Sequence, residues 1–278
     1  MIKLFLSDLD GTLLDEKMEF RQDDIDAVYK LKEAGVAFGI VTGRDIGVYE
    51  RYIKPVFSFP MDYIGNNGGT VFADEQKLYE RNMDTKEIYT MMKEIQDLYL
   101  EDVYPFVADD HCNFYFYKQK PKDKFYQDVL TLMSQIGTIS DIGLLEYLKA
   151  PKDGIVKVSF YTKERDASVM SKKLQELYGD KFEVSMTHFH FVELTIKGIH
   201  KGTAIQKLLA HRGLNPDEVA VIGDGENDIP MFKLFKNTFV MERSNDEIKE
   251  YGNFVVKQVK DAIKMIIEEN SDDKISRF

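Results

Sequence analysis

The chain has 278 residues but only one cysteine, Cys112, and no tryptophan. A lone thiol excludes an internal disulfide and suits a reducing compartment. No apolar run approaches the roughly 20 residues that a membrane-spanning helix needs. The amino-terminal stretch is strand-like and lacks a signal-peptide profile, so a cytoplasmic protein is expected. Cations are in deficit: 37 Lys and Arg against 48 Asp and Glu give a net charge of −11. That balance argues against nucleic acid or an anionic membrane as the main partner. A small anionic ligand would have to be held by local cations.

What the chain does have is a large apolar and aromatic complement, with 44% hydrophobic residues, 19 Phe and 15 Tyr. This is enough for one large domain or two moderate ones. The first stretch alternates strand and helix. A strand over Ile2–Leu6 is followed by Ile25, Val28 and Leu31 at helical spacing, and Gly35 stops that helix. "VAFGIVTGR" (36–44) and "MDYIGNNGG" (61–69) read as two more strands ending in glycine turns, with a short amphipathic segment between them. This rhythm implies a parallel sheet whose functional loops lie at the carboxyl ends of its strands.

Near residue 84 the rhythm changes. Asp84 can cap a helix carrying Ile88, Met91, Met92, Ile95 and Leu98 on one face, followed by strands at 102–108 and 113–118. Helix–strand–strand returns with Met170, Leu174 and Leu177, then 182–186 and 190–195. Between them lies "IVKVSFY" (155–161). From Lys201 the first rhythm resumes, with a helix over about Thr203–His211, a buried strand in "VAVIGDG" (219–225), and short strands in "NTFVM" and "NFVV". An amphipathic helix on Val259, Ala262, Ile263, Ile266 and Ile267 closes the pattern. The tail "EENSDDKISRF" is expected to fray. The expected fold is α/β, a doubly wound parallel-sheet core interrupted by an inserted α+β module. The core would span 1–83 and 195–278, and the insert 84–194.

Four polar clusters follow predicted core strands: Asp8 with Asp10; Thr42, Gly43 and Arg44; Lys201 with Gly202 at a helix start; and Asp224, Asn227 and Asp228 in "GDGENDIPMF" (223–232). Side chains at i and i+2 of an extended segment point the same way, so Asp8 and Asp10 would repel one another without a positive partner. Strand ends of a parallel sheet share one edge, which would gather four carboxylates, a hydroxyl and an ammonium. An all-oxygen donor set suits Mg²⁺, which keeps waters and often shares its shell with phosphate. Thr42, freed backbone N–H groups and Lys201 could hold phosphoryl oxygens, pointing to phosphoryl transfer.

"DLDGTLL", "VTGR", the late Lys-Gly and "GDGENDIPMF" resemble the four motifs of the haloacid dehalogenase superfamily. The large insertion after the second motif and "NNGG" (66–69) resemble its Cof-type, subfamily IIB, sugar-phosphatase branch. The resemblance implies a Rossmannoid core with a C2B-like cap and a Mg²⁺-dependent phosphoric monoester hydrolase acting on small phosphate esters, sugar phosphates first. It implies that Asp8 is the nucleophile, forming an aspartyl-phosphate, and that Asp10 is the general acid and then base. Asp8, Asp10 (through its carbonyl), Asp224 and Asp228 would ligate the metal. The Leu9 N–H, Thr42, Gly43, Lys201 and Asn227 would hold the phosphoryl group. One departure from the pattern is "LTIKGIHKG" before the third motif, where relatives carry proline. Lys197 is therefore a rival to Lys201, but only Lys201 opens an amphipathic helix.

A phosphoryl mutase or a non-catalytic phospho-ligand sensor are the alternatives. The sensor need not keep Asp8 and Asp10 together. His188 and His190 share one side of an extended stretch without a third nitrogen or sulfur ligand, which favours a surface strand or a substrate contact over a metal site. Cys112 beside His111 reads as structural. "FYFY" (114–117) alternates, so half of it should pack against helices, leaving the other half for substrate.

Overall fold

A computed structural model describes residues 1–96, 103–109, 111–117, 124–162, 167–188 and 190–275. The chain runs through β1 (Leu4–Ser7), α1 (Gln22–Glu33), β2 (Ala37–Val41), the single turn α2 (Ile46–Val48), β3 (Asp62–Gly65), β4 (Thr70–Ala73) and β5 (Gln76–Glu80). Next come α3 (Thr85–Gln96), β6 (Val103–Ala108), β7 (Asn113–Phe116), α4 (Lys124–Ile136), β8 (Thr138–Ile139) and α5 (Leu144–Tyr147). They are followed by β9 (Val158–Thr162), α6 (Ala167–Tyr178), β10 (Phe182–His188) and β11 (Phe191–Ile196). The last stretch holds α7 (Lys201–Arg212), β12 (Val219–Gly223), α8 (Ile229–Phe232), β13 (Asn237–Met241), α9 (Asp246–Lys249), β14 (Phe254–Val256) and α10 (Val259–Ile275).

Two compact units result. The first comprises Met1–Gly43, Val56–Leu78 and the chain from His200 on. Its sheet has the order β14-β13-β12-β1-β2-β3-β4-β5, parallel from β14 through β3, with β4 antiparallel to β3. Leu4, Leu6, Ile40, Val41 and Val219–Ile222 are fully buried, the continuous apolar run of a parallel sheet covered on both faces. β1 leads to β2 and β3 on one side, while β12 leads to β13 and β14 on the other. Right-handed crossovers then send the connecting helices to opposite faces, in keeping with α1 packing on α10 and α7 packing on α8. The reversal of direction lies between β1 and β12, at whose carboxyl ends stand Asp8 and Asp224.

The second unit comprises Tyr79–Ile199 together with Arg44–Pro55. Its borders fall at Tyr79 and Ile199 rather than at residues 84 and 194. The amphipathic segment at 44–55, read from sequence as part of the core, packs here instead. The reason is close contact: a Cβ on Gly47 would stand 2.5 Å from Cys112 Sγ, and Tyr52 donates its hydroxyl to the Gln135 carbonyl at 3.2 Å. The sheet order is β10-β11-β9-β6-β7-β8, antiparallel except for β7 with β8. Asp84 accepts the Lys86 and Glu87 N–H groups at 2.7 and 3.3 Å, capping α3, whose Ile88, Met91, Met92 and Ile95 enter the core with Met170 and Leu174 of α6.

Several expectations need correcting. Leu177 is 44% exposed, and the core position is taken by Tyr178, whose hydroxyl donates to Glu94 at 2.9 Å. The 114–117 stretch has no open half. Tyr115 joins the α3–α6 core and stacks on Tyr147, while Phe114 and Phe116 pack on Phe106 and Phe116 meets Tyr126 of α4. The tail stays helical to Ile275 because buried Asn270 brackets Ile2, accepting its N–H at 2.6 Å and donating to its carbonyl at 2.8 Å. Leu98, Asp102, Lys118 and the His188 side chain lie outside the described residues. His190 Nδ1 lies 3.1 Å from the Thr162 carbonyl, a strand-end contact.

Candidate active site

The site lies within the first unit. β1 is fully buried and ends at Ser7, so the strand cannot continue into polar residues without turning. Asp8 remains extended, with its N–H donated to the Ile222 carbonyl of β12 at 2.9 Å. The backbone then turns over Leu9–Leu13, closed by the Leu14 N–H on the Leu9 carbonyl at 2.8 Å. Asp10 keeps extended backbone angles (φ −74°, ψ 119°) at the entrance to the turn. The turn passes through Gly11 at φ +82°, and a Cβ there would stand 2.2 Å from Asp224 Oδ2. Only glycine fits this position, on both conformational and steric grounds.

One ligand oxygen each from Asp8, Asp224 and Asp228 lies within 4.8 Å of the others. Lys201 is fully buried at the first turn of α7, with Nζ 2.6 Å from Asp8 Oδ1 and 2.6 Å from Asp228 Oδ1. The second Asp228 oxygen accepts the N–H groups of Asp224 and Gly225 at 2.9 and 3.0 Å, tying the loop after β12 into one turn. A Cβ on Gly223 would stand 2.4 Å from the Asp228 carboxyl carbon. Thr12 Oγ1 donates to Asp224 at 3.4 Å, and Arg243 Nε stands 3.9 Å from its other oxygen. Sequence reasoning missed both Thr12 and Arg243. Thr12 sits inside the first motif, whereas Arg243 carries no sequence signal because it arrives from the end of β13.

Asp8 and Asp228 share the Lys201 ammonium while Asp224 faces the more distant Arg243, and the electrostatics reflect it. Burial pushes the Asp8 carboxyl well above the usual carboxylate range. Lys201 opposes this, while Asp228, Asp224 and Asp10 add to it. Burial and the neighbouring Asp228 push Asp224 up to about 6, against the pull of Arg243 and Lys201. Burial works against the Lys201 charge, but Asp228 and Asp8 outweigh it and hold the ammonium above its ordinary range. A set of hard oxygen donors carrying more negative charge than Lys201 and Arg243 can balance fits a divalent cation.

The other expected residues are placed as follows. Leu9 is buried in the turn between Asp8 and Asp10. Asp10 is outside the three-carboxylate cluster, yet near enough for its charge to raise Asp8. Thr42 is fully buried just after β2, with its N–H on the Ile64 carbonyl, and Gly43 follows it. Asn227 Nδ2 donates to Asn67 Oδ1 at 3.2 Å, and the Asn67 N–H donates to the Thr42 carbonyl at 3.0 Å, so the "NNGG" turn joins the second and fourth clusters. Lys197, the rival lysine, is exposed in the second unit and pairs with Glu183 at 3.7 Å. Within the segment that departs from the family pattern, His200 caps α7. Its Nδ1 accepts the Thr203 N–H at 3.2 Å, and Thr203 Oγ1 accepts the His200 N–H at 3.1 Å. Cys112 is buried, its thiol pushed up to about 12 by burial and by Asp45 3.5 Å away.

A sequence model of the haloacid dehalogenase-like hydrolases matches residues 5–270. The chain belongs to that family. A Bacillus subtilis member named 5-amino-6-(5-phospho-D-ribitylamino)uracil phosphatase is 26% identical, over 92% of this chain and 93% of its own. Among solved structures, a Streptococcus mutans protein superposes with a TM-score of 0.80 at 19% identity, covering 98% and 100% of the two chains. A subclass IIB sugar phosphatase superposes at 0.77 with 19% identity, covering 97% and 99%. The chain is thus an enzyme of the Cof-type, a haloacid dehalogenase-type phosphatase with the α/β fold of that family.

Proposed function

We propose that the protein is a Mg²⁺-dependent phosphatase of small phosphomonoesters, sugar phosphates foremost, working through phosphoryl transfer to Asp8. The observation that carries this reading is the buried contact of Lys201 with Asp8, inside a group of three converging carboxylates. A carboxylate needs no base to become a nucleophile. Lys201 favours its ionised form against the burial that would protonate it. One Asp8 oxygen is held by the ammonium, leaving the other to attack phosphorus.

Asp10, beside Gly11 in the turn, is assigned the proton of the leaving alkoxide and afterwards the proton of the attacking water. Thr42, Gly43, Asn227, the Leu9 N–H and Lys201 are assigned the phosphoryl oxygens. Asp8, Asp224, Asp228 and the Asp10 carbonyl would hold Mg²⁺, which when bound supplies the positive charge that these acids lack and offsets charge on the phosphoryl group. The second unit is assigned the role of the family's cap, with specificity for the leaving group.

The substrate class draws on the relatives. One name carries its phosphate on a ribityl chain, and one solved neighbour is a sugar phosphatase. A deficit of cations outside the site favours a small ester over a polyanion. Among the described residues no helix is long and apolar enough to cross a membrane, and the buried thiol fits the cytoplasm. Phosphate release over a panel of sugar, polyol, nucleotide and cofactor monoesters, with and without Mg²⁺, tests the reading. Mg²⁺-dependent release from sugar or polyol phosphates is expected. Binding without turnover across the panel would contradict it.

A further inference from the structure

Asn66, Asn67 and Gly68 follow β3 with φ of 54°, 53° and 103°. Two consecutive non-glycine residues in the left-handed region are uncommon, and such backbone persists only when its surroundings over-determine it. Here the determinants can be named. The Asn66 amide donates to Thr70 Oγ1 at 2.8 Å, and the Asn67 N–H donates to the Thr42 carbonyl at 3.0 Å. A Cβ on Gly68 would stand 2.6 Å from the carbonyl of His200, the residue before Lys201. Asn66 and Asn67 are both buried. The turn therefore touches the second motif and the start of α7, and it reaches the fourth motif through the Asn67 side chain.

That contact is Asn227 Nδ2 to Asn67 Oδ1 at 3.2 Å. Asn227 stands on a three-residue turn, Glu226–Asp228, and is only partly buried, so the local backbone does little to choose its rotamer. A side-chain amide carries two hydrogens on one planar nitrogen. Fixing one of them fixes the direction of the other.

We propose that Asn67 is a positioning residue for Asn227: held left-handed by the turn, it takes one amide hydrogen of Asn227 and aims the other at the phosphoryl group. The inference rests on the phosphatase reading, in which Asn227 holds a phosphoryl oxygen. It adds that Asn67 acts through Asn227 without touching substrate. Strain at Asn66 and Asn67 is then the means by which the second and fourth motifs are kept in register.

The test compares wild type, Asn67→Gly, Asn227→Ala and the double variant in Mg²⁺-dependent hydrolysis of p-nitrophenyl phosphate, with inorganic phosphate as competitive inhibitor. Glycine keeps the backbone conformation and removes only the amide. The melting temperature should therefore hold, while kcat/KM falls about tenfold and phosphate inhibits more weakly, as expected for a misaimed binding group. The double variant should lose no more than the worse single variant, because the two act as one unit. Asn67→Ser, too short to reach Asn227, should reproduce the loss and replaces glycine if that variant fails to fold. Losses that multiply in the double variant, or wild-type kinetics in Asn67→Gly and Asn67→Ser, would overturn the inference and leave the phosphatase reading intact. A wild-type protein that hydrolyses no phosphomonoester would overturn the reading itself, and the inference with it.

Discussion

Lys201 Nζ lies 2.6 Å from Asp8 Oδ1, although the two residues are 193 positions apart in sequence. The lysine has no exposed surface, so the ammonium has exchanged water for carboxylate oxygens of Asp8 and Asp228. Taking a charge from water costs several kcal/mol unless partners of opposite sign replace the solvent. Here they do so twice. Lys201 is thereby the counter-ion that holds Asp8 in the form a nucleophile requires.

Lys201→Met should lower kcat on the order of 100- to 1,000-fold, the usual effect of deleting one preorganised electrostatic contact. Without the ammonium, the Asp8 carboxyl climbs further above its ordinary range, since Lys201 is the charge that now opposes its burial. The residual activity should therefore rise with pH more steeply than that of wild type. A pH–rate profile reads both effects, and unchanged kcat at neutral pH would remove Lys201 from the role.

The acid cluster makes a prediction about stability without metal. Asp224 is pushed up to about 6, so its charged form is disfavoured in the folded state. A carboxyl raised on folding destabilises the native state as pH rises through its ordinary value towards the raised one, and the effect vanishes at low pH. Metal-free Asp224→Asn should thus melt above metal-free wild type at pH 7.5, with the difference closing towards pH 4. Mg²⁺ should raise the melting temperature of wild type more than that of the variant. Identical responses to Mg²⁺ in calorimetry would place the ion elsewhere.

Asp10 separates from the other acids by its place in the turn, outside the three-carboxylate cluster. Asp10→Asn should lose most of its activity on alkyl phosphates and far less on p-nitrophenyl phosphate, whose leaving group hardly needs a proton. Kinetics on the two substrates side by side decide the matter. Equal losses would take proton transfer away from Asp10.

At the opposite end of β3, Asp62 is 1% exposed and receives Arg212 Nε at 2.7 Å and Nη2 at 2.5 Å; the same Nη2 also reaches Asp74 at 2.8 Å. This fork fastens the carboxyl end of α7 to the β3 edge and to the β4–β5 turn. Arg212→Met would leave a buried carboxylate without its partner, at a cost of about 3 kcal/mol. Burial already raises Asp62 against the pull of Arg212, so the variant should be least stable at high pH and recover as pH falls. Urea midpoints across pH measure this. A midpoint equal to that of wild type would show the fork to be idle.

Much of this fold is written in local patterns. Buried strands such as Val219–Ile222 and glycine stops such as Gly35 and Gly213 follow from apolar runs and left-handed residues that a short window contains. The helix faces are mostly legible too, since Ile88, Met91, Met92 and Ile95 recur at the helical period. Leu177 misleads because its apolar character fits that period, whereas Tyr178 reaches the core and satisfies its hydroxyl on Glu94. The helical tail depends on Asn270 meeting Ile2 from 268 positions away, a pairing that no window contains.

The site divides in the same way. Asp8, Asp224 and Asp228 stand in short motifs after β1 and β12, which the parallel sheet brings to one edge, whereas Lys201 follows β11 of the second sheet and reaches them from the first turn of α7. Arg243, the Asn67–Asn227 contact and the His200 cap depend on backbone geometry that the letters do not encode. The turn after Asp10 is likewise a matter of close approach: Gly11 takes φ +82° where a Cβ would stand 2.2 Å from Asp224 Oδ2.

The central claim is transfer of a phosphoryl group to Asp8, and an acid-quench experiment tests it most directly. Wild-type enzyme, mixed with substrate and Mg²⁺ and quenched within the first turnover, is digested and the peptide containing Asp8 is weighed. One phosphoryl group on Asp8 is predicted, with neither label nor phosphate release from Asp8→Asn. Phosphate release by Asp8→Asn at the wild-type rate would contradict the account.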